Sequence, residues 1–223
     1  MNNIPRLNVI VLISGEGTNL QTLIDAERAG KINTRIQAVF SDRPKVPGIK
    51  RANRANIPSH CLAHSDFPNR ATYELELASH IDSYEPGLIV LAGFMKILGA
   101  GFVNHFRGQI INIHPSLLPQ YRGLDTHRRV LEAGEEKHGA TVHFVTEELD
   151  GGPRIIQYCI PIKAKESEAE LAQRIHEGEY IILPQAVAWL ASQRLALEGN
   201  DVILDNQKLG SPILIEGKHE RSP

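Results

Sequence analysis

Along the chain, short β-branched runs alternate with stretches whose apolar residues recur every three or four positions. This is the pattern of βαβ units and of a mostly parallel sheet covered by helices on both faces. Residues 8–13, NVIVLI, are nearly all branched and apolar and read as a buried strand. Residues 19–29 follow as a helix, with apolar Leu20, Leu23 and Ile24 and a stop at Gly30. A strand at 35–40, a short helix at 49–55, a strand at 59–62 and a helix at 69–84 continue the alternation. The last of these carries Tyr73, Leu77, Ile81 and Tyr84, and residues 88–92 form the next strand.

The second half departs from simple alternation. Strands at 109–113, 141–145 and 155–162 are separated by loops or by one short helix at 126–133, so antiparallel edges are expected there. Ser167 and Glu170 predict a capping box at the head of a long helix, and Pro184 predicts a kink or interruption inside it. After Leu197 the chain turns polar, with one more strand at 202–204 and a solvated tail at 217–223. The reading is α/β: a mostly parallel twisted sheet with helices on both faces and antiparallel strands in the second half. Residues 1–198 form one domain and 199–223 a C-terminal extension.

Composition narrows the possibilities. The 223 residues are 42% hydrophobic and 22% charged, as in ordinary soluble domains, which argues against disorder and fibrous repeats. A formal net charge of −2 supplies no global field for nucleic acid or an anionic membrane, so an anionic ligand has to be caught locally. The apolar run at 9–13 falls far short of the ~18 residues of a membrane span, and a cytoplasmic location is expected. Cys61 and Cys159 lack metal-ligand spacing and read as inert, reduced core thiols.

Three segments carry candidate chemistry. Ser14-Gly15-Glu16-Gly17-Thr18-Asn19-Leu20 joins the first strand to the first helix, where unpaired N–H groups and the helix dipole favour a phosphate. A dinucleotide fingerprint would want a third glycine where Leu20 stands, so a single phosphate fits better, and a nicotinamide enzyme using Asp42 as ribose-binding acid is disfavoured. Asn112 and His114 end a strand two residues apart and project from one face; an amide donor beside an imidazole suits a carbonyl oxygen that becomes negative. Asp150 sits in a carboxylate-rich turn followed by Gly151 and Gly152, and against His114 it would stabilise the protonated ring. The other nine histidines read as surface residues; His60, His64, His80, His105 and His219 have no acidic or amide neighbours in a comparable pattern. Arg43, Lys45, Lys50, Arg51 and Arg54 read as a solvated basic face, and Asp125 as compensation for His127, Arg128 and Arg129 at a helix start.

Taken together, VIVLISGEGTNL, VLAGFMKIL, NIHPSLLPQYRG and HGATVHFVTEELDGGPRI, in that order, resemble the folate-dependent formyltransferase family over nearly the whole chain up to about Leu197. The resemblance implies a Rossmann-like formyltransferase fold. It also implies transfer of a formyl group from 10-formyltetrahydrofolate, as cosubstrate, to the amine of glycinamide ribonucleotide in purine synthesis, without a metal. By matching position, Gly17, Thr18, Asn19 and Leu20 would hold the ribose 5-phosphate, and His176 and Glu179 would approach the ribonucleotide. Asn112, His114 and Asp150 would be the catalytic trio. Arg70, Met95, Lys96, Ile97 and Leu98, with Asn112 and the turn Thr146, Glu147, Glu148, Leu149 and Asp150, would line the folate cleft. Lys96 replaces a frequent arginine, Tyr180 a usual histidine and Asp125 a frequent histidine. Small-molecule substrates, no nucleic acid, no membrane and a monomer or homodimer are the expected partnerships. A tRNA-directed relative would need an RNA-binding domain, and a hydrolase relative a regulatory one, for which this chain has no room.

Overall fold

The computed structural model describes residues 4–217 and lays the apolar runs out as one eight-stranded sheet and a small three-stranded one. The first half contains β1 (Leu7–Ile13), α1 (Thr18–Arg28), β2 (Thr34–Ser41), α2 (Pro47–Arg54) and β3 (Ser59–Cys61). It continues with α3 (Arg70–Asp82), β4 (Leu88–Leu91), α4 (Ala100–His105) and β5 (Ile110–His114). Then come α5 (Thr126–Glu132), β6 (Lys137–Phe144), β7 (Arg154–Pro161) and α6 (Glu168–Ala191). The short strands β8 (Leu195–Glu198), β9 (Asp201–Leu204), β10 (Gln207–Lys208) and β11 (Ile213–Glu216) close the chain.

The large sheet has the order β11-β7-β6-β5-β4-β1-β2-β3. Strands β1 to β5 are mutually parallel, β6 runs against β5 and β7, and β11 lies parallel to β7. The antiparallel pairing expected for the second half is therefore present, with β6 interior and β11 at the edge. Strand β1 is the spine: Val9, Val11 and Ile13 enter the core that holds Leu20, Leu23, Ile175 and Leu183, while Ile10 and Leu12 enter the one that holds Tyr73, Leu77 and Phe102. Such period-two division is what burial on both faces requires. From β1 the chain adds β2 and β3 on one side and β4 and β5 on the other. In a sheet wound this way, ligands bind in the crevice outside the carboxyl ends at the point of reversal. Those ends carry the turn after β1, the 92–99 segment after β4, and His114.

Several expectations need correction. Helix α6 runs unbroken through Pro184; burial of Ile182, Leu183, Ala186 and Val187 around it outweighs the lost N–H. Strand β6 begins four residues early, at Lys137, because Gly139 tolerates a backbone approach by Tyr158 that a Cβ would block. Helix α4 and strands β8, β10 and β11 have no counterpart among the expected elements. Within the extension after residue 198, β9 and β10 form the small antiparallel sheet with β8, and β11 pairs with β7. Gly217 donates to the Cys159 carbonyl at 2.9 Å, and the rest of the expected tail lies outside the described residues. Cys159 is buried but Cys61 is exposed on the edge strand β3. Of the histidines taken for surface residues, His138 and His143 are buried, His80 and His105 pair with Glu76 and Asp82, and His219 lies outside the described residues. His138 Nε2 lies 3.0 Å from His127 Nδ1, and burial pushes the two rings down to about 3 and about 4 respectively. No helix among the described residues is long and apolar enough to cross a membrane.

Candidate active site

The glycine turn is held in place by its surroundings. Gly15 accepts from Gly48 N–H at 3.0 Å, Arg51 Nε donates to the Glu16 carbonyl at 2.8 Å, and Met95 N–H donates to Ser14 Oγ at 2.8 Å. Arg51 is thus half-buried structural support rather than part of a solvated face. Gly17 adopts φ +69°, and a Cβ there would stand 2.6 Å from Gly48 Cα, so two glycines meet where the turn enters α1. Gly17 is the N-cap of α1, and no side chain caps this helix. The first intrahelical bond after the cap runs from Gln21 N–H to the Gly17 carbonyl, so the amides of Thr18, Asn19 and Leu20 have no acceptor among the described residues.

Beside this turn, α6 delivers Glu179. It is 4% exposed, and Asn19 Nδ2 donates to its Oε2 at 2.8 Å. Burial raises the Glu179 carboxyl above its usual range, against the opposing pull of the Asn19 bond and of His176. Asn19 Oδ1 is buried without a hydrogen-bond partner among the described residues, an acceptor that a ligand hydroxyl could satisfy. His176, one turn earlier, is exposed and lies parallel to Tyr180 with ring centroids 6.3 Å apart.

The end of β5 meets the carboxylate turn. His114 is buried, its Nδ1 is 3.5 Å from Asp150 Oδ2, and its Nε2 is 3.0 Å from the Tyr121 carbonyl. Both ring nitrogens thus face oxygen acceptors, the pattern that a doubly protonated imidazole matches. Asp150 has φ +49°, which folds the turn back over the sheet, and its Oδ2 accepts from Gly123 N–H at 2.9 Å. Asn112 lies opposite His143 in the β5–β6 pairing, with Nδ2 3.2 Å from His143 Nε2. The sequence brings Asn112, His114 and Asp150 together as expected, but His143, Tyr121 and Gly123 also belong to the cluster. Only the β5–β6 register reveals His143, and a sequence does not print its register.

The expected folate-side residues occupy the neighbouring rim. Met95 and Ile97 are exposed and Leu98 is buried. Lys96 Nζ and Arg43 Nε each lie 3.9 Å from Asp42 Oδ2, a buried carboxylate that makes no hydrogen bond among the described residues. Arg70 Nε donates to Glu74 Oε1 at 2.6 Å, and the same oxygen accepts Gly99 N–H at 2.7 Å, which ties α3 to the 95–99 segment. In the carboxylate turn, Glu147 accepts from Asn104 Nδ2 at 2.7 Å, Glu148 pairs with Arg122, and Leu149 is exposed. A cavity of about 590 Å³ backs this turn, lined by Val103, Val145, Thr146, Glu147 and Glu148 and by the 197–212 segment. Neither His114 nor the glycine turn is among its walls. No group of three or more His, Cys, Asp or Glu among the described residues is arranged to share a metal ion.

Residues 7–187 match the formyl transferase family. The chain belongs to this family. Among formyltransferases, the phosphoribosylglycinamide formyltransferase of Escherichia coli is 48% identical over 203 residues, covering 91% of this chain and 96% of that protein. A solved phosphoribosylglycinamide formyltransferase from Coxiella burnetii superposes with a TM-score of 0.90 at 48% identity, covering 94% of this chain and 99% of that one. The glycinamide ribonucleotide transformylase 1 of Symbiobacterium toebii follows with a TM-score of 0.87 at 38% identity, over 89% of this chain and 94% of that one. The formyltransferase fold is thus shared over nearly the full length, and family membership implies a folate-derived formyl donor.

Proposed function

We propose that the chain transfers the formyl group of 10-formyltetrahydrofolate to the amine of 5-phosphoribosylglycinamide. One observation carries the reading: the Asn112, His114 and Asp150 cluster lies at the same end of the sheet as a glycine turn with three amides unpaired among the described residues. The amides of Thr18, Asn19 and Leu20 suit the phosphate, with the helix dipole adding to the attraction. Glu179 and the unpaired Asn19 Oδ1 suit ribose hydroxyls. The exposed apolar Met95, Ile97 and Leu149 and the backbone of the 146–150 turn suit a flat pterin with a fixed donor and acceptor edge.

Two reactants held side by side gain the orientation advantage of an intramolecular reaction. The neutral amine attacks the formyl carbon, a C–N bond forms, and the carbonyl oxygen becomes an oxyanion. An Asn112 N–H donates to that oxygen, and the His114 Nε2–H exchanges the Tyr121 carbonyl for it when the substrates are in place, while Asp150 stabilises the imidazolium at Nδ1. The bond from the formyl carbon to N10 then breaks, and the proton lost by the attacking nitrogen reaches N10 through His114 or water. Atoms and charge balance without a metal or redox partner. The reading extends to a cytoplasmic enzyme of small-molecule substrates, acting as monomer or homodimer.

The test is to mix the protein with 10-formyltetrahydrofolate and follow loss of the donor by absorbance, with and without the ribonucleotide. Donor loss that requires the acceptor, with one formylated product per donor consumed, is the expected result. Equal loss without acceptor would make the chain a hydrolase, and no loss in either case would refute the transfer.

A further inference from the structure

Once Asn112, His114 and Asp150 have their roles, one buried ring in the site is left over. His143 projects from β6 directly opposite Asn112 and is 2% exposed. Its Nδ1 lies 2.8 Å from the Phe144 carbonyl, an atom that can only accept, so the ring hydrogen sits on Nδ1. Five features bear on its charge. Burial dominates and pushes the ring well below the usual imidazole range. The Phe144 carbonyl and the Asp150 carboxylate pull the other way, and His114 and Arg122 add to the downward push. The ring is neutral near pH 7, and Nε2 presents a bare lone pair.

That lone pair faces Asn112 Nδ2 at 3.2 Å. The two ends of a carboxamide have nearly the same shape but opposite hydrogen-bonding character. With Nδ2 toward His143, one N–H meets the lone pair and the other stays free in the amide plane. Turned over, Oδ1 would face Nε2, lone pair against lone pair, beside a buried ring. A protonated His143 would do damage twice. It would set a donor against the Asn112 N–H, and it would draw on Asp150, whose Oδ1 is 3.8 Å away and beyond hydrogen-bond reach of the neutral ring.

We propose that His143 is a positioning residue: its Nε2 lone pair fixes the Asn112 amide in the orientation that leaves one N–H for the oxyanion of formyl transfer. The inference rests on the reaction proposed above. His143 gives up no proton in the cycle and acts only through Asn112.

His143→Asn keeps a donor near the Nδ1 place but has nothing at the Nε2 place. The longer His143→Gln can set its amide oxygen there as acceptor. Each is assayed for kcat and for KM of both substrates, singly and with Asn112→Ala. Wild-type protein must first show acceptor-dependent transfer; if it does not, the reaction proposed above fails, not the His143 role. With an active wild type, His143→Asn should lower kcat by about 10- to 100-fold, part of the ~10²–10³ that a lost oxyanion donor costs. Both KM values should stay within about threefold, and His143→Gln should recover most of the loss. In the Asn112→Ala background, His143→Asn should cost less than about twofold, since no amide remains to orient. A wild-type kcat in folded His143→Asn, or the same fold-loss with and without Asn112, overturns the inference. Should that variant not fold, ¹⁵N NMR of the wild-type ring decides: hydrogen on Nδ1 with bare Nε2 supports the role, and hydrogen on Nε2 refutes it.

Discussion

Replacing Glu179 by Gln separates what the fold prefers from what the ribonucleotide side of the site is built to do. Among the described residues, the buried Glu179 carboxylate has a single hydrogen bond, from Asn19 Nδ2, and Asn19 Oδ1 has none. Burial holds its folded pKa above the usual 4.5. A group whose pKa rises on folding contributes stability that is fully present below the unfolded value and is lost as pH climbs through the folded one. Where Glu179 is ionised, the fold therefore carries a desolvated charge. Gln keeps the shape, accepts from Asn19 Nδ2 and offers its own N–H to Asn19 Oδ1. One added hydrogen bond contributes about 0.5–1.5 kcal/mol, and in a chain of this size each kcal/mol moves Tm by about 2–4 °C. Glu179→Gln should raise Tm by about 1–6 °C at pH 7.5 by scanning calorimetry. The gain should shrink as pH falls toward 4.5, where a protonated Glu179 makes the same pair of bonds. Function should move the other way. Hydrogen bonds to a charged group are worth about 1.5–3 kcal/mol, so KM for the ribonucleotide should rise about 10- to 100-fold while kcat changes less. A variant less stable than wild type at neutral pH, or a gain that grows on acidification, refutes the electrostatic reasoning; an unchanged KM removes Glu179 from the ribonucleotide site.

Asn112→Ala and His114→Ala should lower kcat by about 10²–10³ and 10²–10⁴ with far smaller effects on folding, and near-normal turnover in both would defeat the assignment. Gly17→Ala places a Cβ against Gly48 at positive φ, so it should destabilise the fold by about 1–2 kcal/mol in urea unfolding and raise KM for the ribonucleotide at least tenfold; wild-type affinity would detach this turn from the phosphate. Ser167→Ala removes the capping box of α6 and should cost about 0.5–2 kcal/mol of stability with kcat and KM unchanged, a purely structural control that altered kinetics would contradict.

The parallel half of the sheet was legible because burial on both faces leaves an unbroken branched run, as in β1 and β4, and because each helix between them shows its own period. The glycine turn, the Asn112 and His114 pair and the capping box at Ser167 could be read for the same reason: each is a local pattern with a local cause. What escaped depends on partners distant in sequence. Helix α4 has six residues, too few to display a period. Strand β11 alternates in burial at an edge, and its pairing with β7 needs a partner more than fifty residues away. Pro184 looked disruptive because a local rule cannot weigh the packing around α6. His143 looked like any other histidine until the β5–β6 register set it against Asn112. The contact between Asp150 and His114 was a spatial expectation; it depends on a positive φ at Asp150 that the two glycines after it suggest but do not require.

The bare amides at the head of α1 have a consequence for anyone handling the protein. A cradle built from backbone N–H groups and a helix dipole recognises tetrahedral oxyanions as a class, and inorganic phosphate or sulfate offers the same oxygens as a sugar ester. Phosphate buffer should therefore act as a competitive inhibitor against the ribonucleotide and, by mass action, as a thermal stabiliser of the empty enzyme. Kinetic constants and melting curves will agree between laboratories only when the anion in the buffer is the same.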